Sequence, residues 1–123
     1  MPYQVIEEIS ISNDVVFEEE ADFIDYLNGY RSDEEQADRV EQIIIDLNLD
    51  EALRSDYLNF VRGFSTNPDV TFEGFSPADK KITRTTIWPS EELYNYNEAI
   101  KNHLNSLKDV PSRGTVVIST STV

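Results

Sequence analysis

Residues 80–108, KKITRTTIWPSEELYNYNEAIKNHLNSLK, read as a strand that stops at a proline and turns directly into an amphipathic helix. Ile82 to Trp88 is built from Thr, Ile and Trp, side chains that suit a pleated, half-buried surface. Pro89 has no N–H to give to a ladder, so the strand ends there. Ser90 suits an N-cap, and Glu91 and Glu92 place carboxylates at the positive end of the helix dipole. Leu93, Tyr96, Ile100, Leu104 and Leu107 then recur at helical spacing on one face.

Working outward, Tyr3 to Ser12 alternates, with Tyr3, Val5, Ile9 and Ile11 on one side; Glu7 interrupts that apolar side. After the turn signal Asn13-Asp14, Glu18 to Asn28 predicts a helix with Phe17, Ala21, Ile24 and Leu27 as its stripe. Ser32-Asp33-Glu34-Glu35 is a capping box opening a second helix that buries Ala37, Val40, Ile44 and Leu47. Asp50 caps a third helix with Leu53, Tyr57 and Val61 inward, and Gly63 ends it. Val70 to Phe75 alternates Val70, Phe72 and Gly74 against Thr71, Glu73 and Phe75. With the turn Pro77-Ala78-Asp79 it predicts a hairpin onto Ile82–Trp88. Val110 to Gly114 reads as a loop, and Thr115 to Val123 as a last strand. Its contiguous Val116-Val117-Ile118 predicts cover on both faces.

The order strand, helices, strand, strand, helix, strand is a split β-α-β arrangement. The expectation is one α+β domain over 1–123: a ferredoxin-like sandwich with a four-stranded antiparallel sheet, helices on one face, and an acidic helical insertion at about 18–63 in the first crossover. The run Thr85-Thr86-Ile87-Trp88-Pro89-Ser90-Glu91-Glu92-Leu93 resembles the strand-to-helix corner of the dimeric α+β barrel group, which includes antibiotic-biosynthesis-monooxygenase-like proteins. That resemblance implies a ferredoxin-like subunit pairing sheet to sheet. Some such proteins are cofactor-free oxygenases, and others degrade haem with an Asn, a Trp and a helical His. Trp88 and His103 would stand for two of those, but at a different separation, and the first strand has no Asn. The insertion is foreign to the group, and its activity is not carried over.

Composition narrows the function classes. The absence of cysteine removes disulfides, thiolate nucleophiles, iron–sulfur clusters and cysteine-bound zinc. No apolar run is long enough for a membrane span or a signal-peptide core, and the expected location is cytoplasmic, in a cell or a virus-infected host. Residues 1–60 hold 17 of the 24 acidic side chains and three of the ten basic ones, which accounts for the whole net charge of −14; residues 61–123 carry seven of each. Such a field repels nucleic acid and anionic membrane and attracts basic protein surfaces. Solubility, or adaptation to a salty environment, explains the same charge without a partner.

Glu34, Asp38 and Glu41 follow helical spacing and are the candidate partner-binding face. Arg84, Trp88, Tyr96 and His103 are the candidates for a ligand pocket or an interface. Arg84 can take an anionic ligand or an ion-pair partner. Trp88 can stack on a ligand or fill the seam between sheet and helix. His103, the only histidine, is either a base or a boundary residue. No catalytic constellation, metal-binding spacing, phosphate loop or cofactor motif is present in the sequence; the carboxylates of Glu18, Glu19, Glu20, Asp22 and Asp25 lack calcium-loop spacing.

Three functions fit. The first is a non-enzymatic acidic interaction module, of the kind small viral inhibitors and nucleic-acid mimics exemplify, docking on a basic partner surface. The second is a cofactor-free enzyme or small-molecule binder of the dimeric barrel kind. The third is an assembly component of a larger particle. Ile9, Ile82, Trp88 and Val117 give the strands more apolar side chains than one covered face needs, so a homodimer through the sheet is expected.

Overall fold

The computed structural model describes residues 1–12, 14–28, 32–106 and 113–123, with the side chains of 105, 106 and 113 excepted. The elements run β1 (Tyr3–Ile11), α1 (Glu20–Asn28), α2 (Asp33–Asp46), α3 (Glu51–Arg62), a short 3-10 turn (Phe64–Thr66), β2 (Val70–Ser76), β3 (Lys81–Trp88), α4 (Glu91–Ser106) and β4 (Arg113–Thr122). The fold is α+β, with the four strands in one antiparallel sheet of order β2-β3-β1-β4. Chain-sequential β1 and β2 are thus separated by β3, and β4 returns to the free side of β1.

The helices start where side-chain oxygens take up orphan backbone N–H groups. Ser32 Oγ accepts from Glu35 N at 3.1 Å, Asp50 Oδ1 from Ala52 N at 2.9 Å, and Ser90 Oγ from Leu93 N at 3.2 Å. The corner at Pro89 is as the sequence indicates: β3 ends at Trp88 and α4 begins at Glu91.

The core divides into two hydrophobic clusters on the same face of the sheet. Under α2, α3 and α4 lie Val5 and Trp88, packed with Val40, Ile44, Tyr57, Leu93 and Ile100. Under α1 lie Ile9, Ile11 and Ile82, packed with Phe17, Phe23 and Leu27. Trp88 fills the seam between sheet and helices, its ring stacked 4.7 Å from Phe60 and 6.3 Å from Tyr57. Leu104 packs half-buried at the margin, whereas Leu107 lies outside the described residues; of the loop expected over 110–114, residues 110–112 lie outside them too, and Arg113 and Gly114 belong to β4.

Several expected placements are corrected. In α1 the buried residues are Phe23 and Leu27; Leu27 is as the spacing indicates, Ile24 is half-buried, and Ala21 is exposed, its place in the core taken by Phe23, since the helix starts later than the acidic run implied and its stripe is turned slightly. In α2 Ile43 is buried and Leu47, at the C-cap, is 36% exposed. In α3 Leu58 joins Tyr57 in the core, while Leu53 and Val61 are only half-buried.

Phe75 does not oppose Phe72. The pairing of β2 with β3 slips between Glu73 and Ser76, where Gly74 takes φ +69°, and this bulge turns Phe75 onto the ring of Phe23 at 5.1 Å. Ile9, Ile82 and Trp88 all face the helices, so they leave no surplus on the outer face. Over β1, β2 and β3 that outer face is largely hydroxylic, with Thr71, Thr83, Thr85 and Ser10 around Ile6 and Ile87 and a Lys81–Glu8 ion pair at 3.9 Å; on β4 the exposed Val116 joins it opposite Glu8.

The expected cover of Val116-Val117-Ile118 is also absent. β4 is an edge strand, and these side chains are 64, 40 and 57% exposed.

Candidate functional site

Two places combine polar groups with constrained geometry. The first is the middle of the sheet, between the two apolar clusters. Glu7 interrupts the inward side of β1, and the β1–β3 register sets it directly opposite Arg84. Glu7 is 6% exposed and accepts two hydrogen bonds on Oε1, from Arg84 Nε at 2.9 Å and from Arg84 Nη2. The guanidinium lies 5.5 Å from the centre of the Phe64 ring, a cation–π contact that closes its other side. A carboxylate so buried survives because it is paired and hydrogen-bonded. Beside it Thr86 is 1% exposed, and among the described residues its hydroxyl has no hydrogen-bond partner.

Of the four pocket candidates, Arg84 is therefore engaged with Glu7. Tyr96 is buried; its phenol donates to the backbone carbonyl of Asp50 at 3.1 Å, and its ring meets Tyr57 at 5.2 Å. Burial, with the negative charge of Asp50, holds its pKa above the ordinary phenol value. Tyr57 donates to Asn97 Oδ1, and burial raises its pKa further still, with Tyr96 and Glu98 adding to the shift. Tyr94, 5.5 Å from the Tyr3 ring, is pushed up to about 12 by desolvation first and by the charge of Glu98 next. His103 is half-buried on α4. These groups pack and cap; they do not converge on one reacting position.

The second place is an open groove of about 530 Å³ at the strand-to-helix corner. Leu53, Phe60, Pro89 and Leu93 form its apolar floor and walls, with Asp56, Asn59, Asn67 and Ser90 among its polar lining. Arg84, Trp88, Tyr96 and His103 do not line it. No single sequence motif marked it, because α3, the segment after Gly63 and the Pro89 corner meet only in three dimensions.

The acidic candidates sit where α2 faces α3. Glu34 Oε1 lies 3.4 Å from Arg62 Nε, and Glu41 Oε1 lies 2.9 Å from Arg54 Nη2. The Glu34 side chain is 67% exposed and Asp38 is exposed, while Glu41 is half-covered. The structure thus joins two of the three to basic partners in the same chain. On and before α1, Glu18, Glu19, Glu20, Asp22 and Asp25 are all exposed. Among the described residues no group of three or more His, Asp or Glu side chains is gathered as metal ligands would be, and no helix is long and apolar enough to cross a membrane.

No protein-family model, no curated protein and no solved structure matches the chain.

Proposed function

We propose that the chain is a non-enzymatic acidic interaction module acting in the cytoplasm of a cell or of a virus-infected host, and that its negatively charged helical half docks on a basic protein surface. In this reading the scaffold is a ferredoxin-like split β-α-β unit whose first crossover is enlarged by three helices. The strand order supports that scaffold: from the other edge it runs β4-β1-β3-β2 with each neighbouring pair antiparallel.

The observation that carries the functional reading is the division of charge. All of the −14 belongs to residues 1–60, and the carboxylates from Glu18 to Asp25 stand in solvent together with Glu34, Glu35 and Asp38. The ion pairs Glu34–Arg62 and Glu41–Arg54 fix two carboxylates against α3 rather than cancelling the field. Exposed pairs of this kind are worth about 0–1 kcal/mol each, so a basic partner can exchange for them at little cost. Such an association is steered by charge, fast, and weakened by salt.

The test is capture of partners at low and high salt by the native chain and by a Glu34→Lys, Asp38→Lys, Glu41→Lys variant. The expected result is a basic partner, retained at low salt and lost both at high salt and in the triple variant, with helix content preserved by circular dichroism. Capture indifferent to salt and to the triple change overturns the reading.

The corner groove favours a second reading, a cofactor-free enzyme or small-molecule binder. Asn59→Arg, at an exposed residue of the lining, would crowd the groove without touching the core; if that variant alone loses a small-molecule ligand that the triple variant keeps, the second reading replaces the first.

A further inference from the structure

The last strand is at odds with its own sequence. Val116, Val117 and Ile118 are β-branched and contiguous, the composition of a covered strand, yet they are 64, 40 and 57% exposed. β4 is also the end of the strand order, so among the described residues no strand neighbours the backbone groups along its outer side. From Gly114 to Val123 there is no charged residue and no proline. Natural edges are ordinarily blunted by charge, proline, bulges or shortness.

The opposite edge has those devices. β2 spans seven residues, is flanked by Pro68 and Pro77, presents Glu73 to solvent, and is bent by the bulge at Gly74. The molecule therefore has one closed edge and one open one. β4 does carry a register shift opposite Ile6/Glu7, where Ile118 is the extra residue, but the strand continues on both sides of it.

We propose that β4 pairs antiparallel with β4 of a second copy of this chain, joining two four-stranded sheets across a two-fold axis. Charge selects that occupant. A copy carrying −14 is repelled by the acidic half, whereas residues 61–123 are neutral overall and residues 114–123 are uncharged. A basic partner is drawn to the other half of the molecule. The position of the apolar side chains points the same way. Val117 stands near the middle of Arg113–Thr122, so a symmetric register centred on it sets Val117 against its own copy and Val116 against Ile118. The same register sends the two Arg113 residues to opposite ends of the ladder. With only one open edge, pairing closes at two copies; two open edges would propagate a filament.

The inference is independent of the acidic-partner reading. Its test is the mass of the full chain in solution at micromolar concentrations, with and without Val116→Lys plus Val117→Lys. Both positions are exposed, so the folded subunit should tolerate lysine, and circular dichroism checks that it does. The expected result is twice 14.1 kDa for the native chain, rising in population with added salt, and 14.1 kDa for the lysine variant. Hydrogen exchange of the native chain supplies a second readout: amides of 114–122 should gain protection as concentration rises. A native chain that stays monomeric with no such gain, or a doubled mass that survives the lysines, overturns the proposal.

Discussion

The charged pair at the centre of the sheet shows what a single residue decides in this fold. Glu7 is held in a nearly solvent-free position by Arg84, and the two apolar clusters adjoin on either side. Replacing Arg84 with Met keeps most of the volume and strands a buried carboxylate. The expected loss is about 3–5 kcal/mol in denaturant unfolding. The double change Glu7→Gln, Arg84→Met should recover a good part of it. A loss under about 1 kcal/mol for Arg84→Met would mean that Glu7 reaches water. Tyr57 offers a pH-dependent counterpart. Folding raises the pKa of Tyr57, Tyr94 and Tyr96, so the folded state holds these protons longer than the unfolded chain does. Their contribution is complete below the unfolded phenol value of about 10 and declines as pH rises beyond it, through about 12 for Tyr94. The denaturation midpoint should therefore be flat from neutral pH to about 10 and fall above it. Tyr57→Phe should cost about 1 kcal/mol at neutral pH by removing the hydrogen bond to Asn97, and should flatten the alkaline decline. An unchanged slope would remove Tyr57 from this account.

Individual elements show why some of the fold was legible and some was not. The caps at Ser32, Asp50 and Ser90 are local chemistry, a side-chain oxygen within three residues of the N–H it accepts from, and each stands where the sequence indicates. The alternation of β1 and the break at Pro89 are equally local. The rotation of α1, by contrast, depends on which side meets Ile9 and Phe75, which no periodicity within α1 reveals. Phe75 was misassigned for a related reason: strict alternation holds only in an unbroken ladder, and the bulge at Gly74 inserts a residue. Gly74 has φ +69°, with Thr83 Oγ1 3.8 Å from where a Cβ would lie, so the obstacle to a side chain there is backbone strain rather than space. Gly74→Ala should destabilise the fold by about 1–2 kcal/mol, and Gly74→Asn by less, since Asn enters the left-handed region more readily. If alanine is neutral in thermal unfolding, the bulge is not needed to set Phe75 against Phe23. The corner groove and the Glu7–Arg84 pairing belong to the same class of unreadable features, because both need strand register. Glu7 itself was visible as a defect in the apolar side of β1, and Arg84 as a charge among the strand's Ile, Thr and Trp. Only the register joins them.

At the scale of the whole molecule one quantity, the net charge, makes three predictions with linked signs. Beside the buried Glu7–Arg84 pair, the ion pairs Arg54–Glu41, Arg62–Glu34 and Lys81–Glu8 also join separate elements, and these three involve at least partly exposed side chains; such pairs contribute about 0–1 kcal/mol each. Against them stands the mutual repulsion of 17 acids answered by three bases in residues 1–60. Added salt screens both, with a Debye length falling from about 30 Å at 0.01 M to about 3 Å at 1 M. Repulsion acts over longer distances than a contact pair, so it is the first to be screened. Thermal stability should therefore rise with sodium chloride, by a few degrees for each kcal/mol of repulsion relieved in a chain of this size. The same salt should favour pairing of two like-charged copies through β4 and should weaken capture of a basic partner. Stability, dimerisation and partner binding thus respond to one variable with the signs plus, plus and minus. A melting temperature that falls with salt from the outset would show the short ion pairs outweighing the repulsion. It would leave the acidic half without the unspent field on which partner recruitment depends.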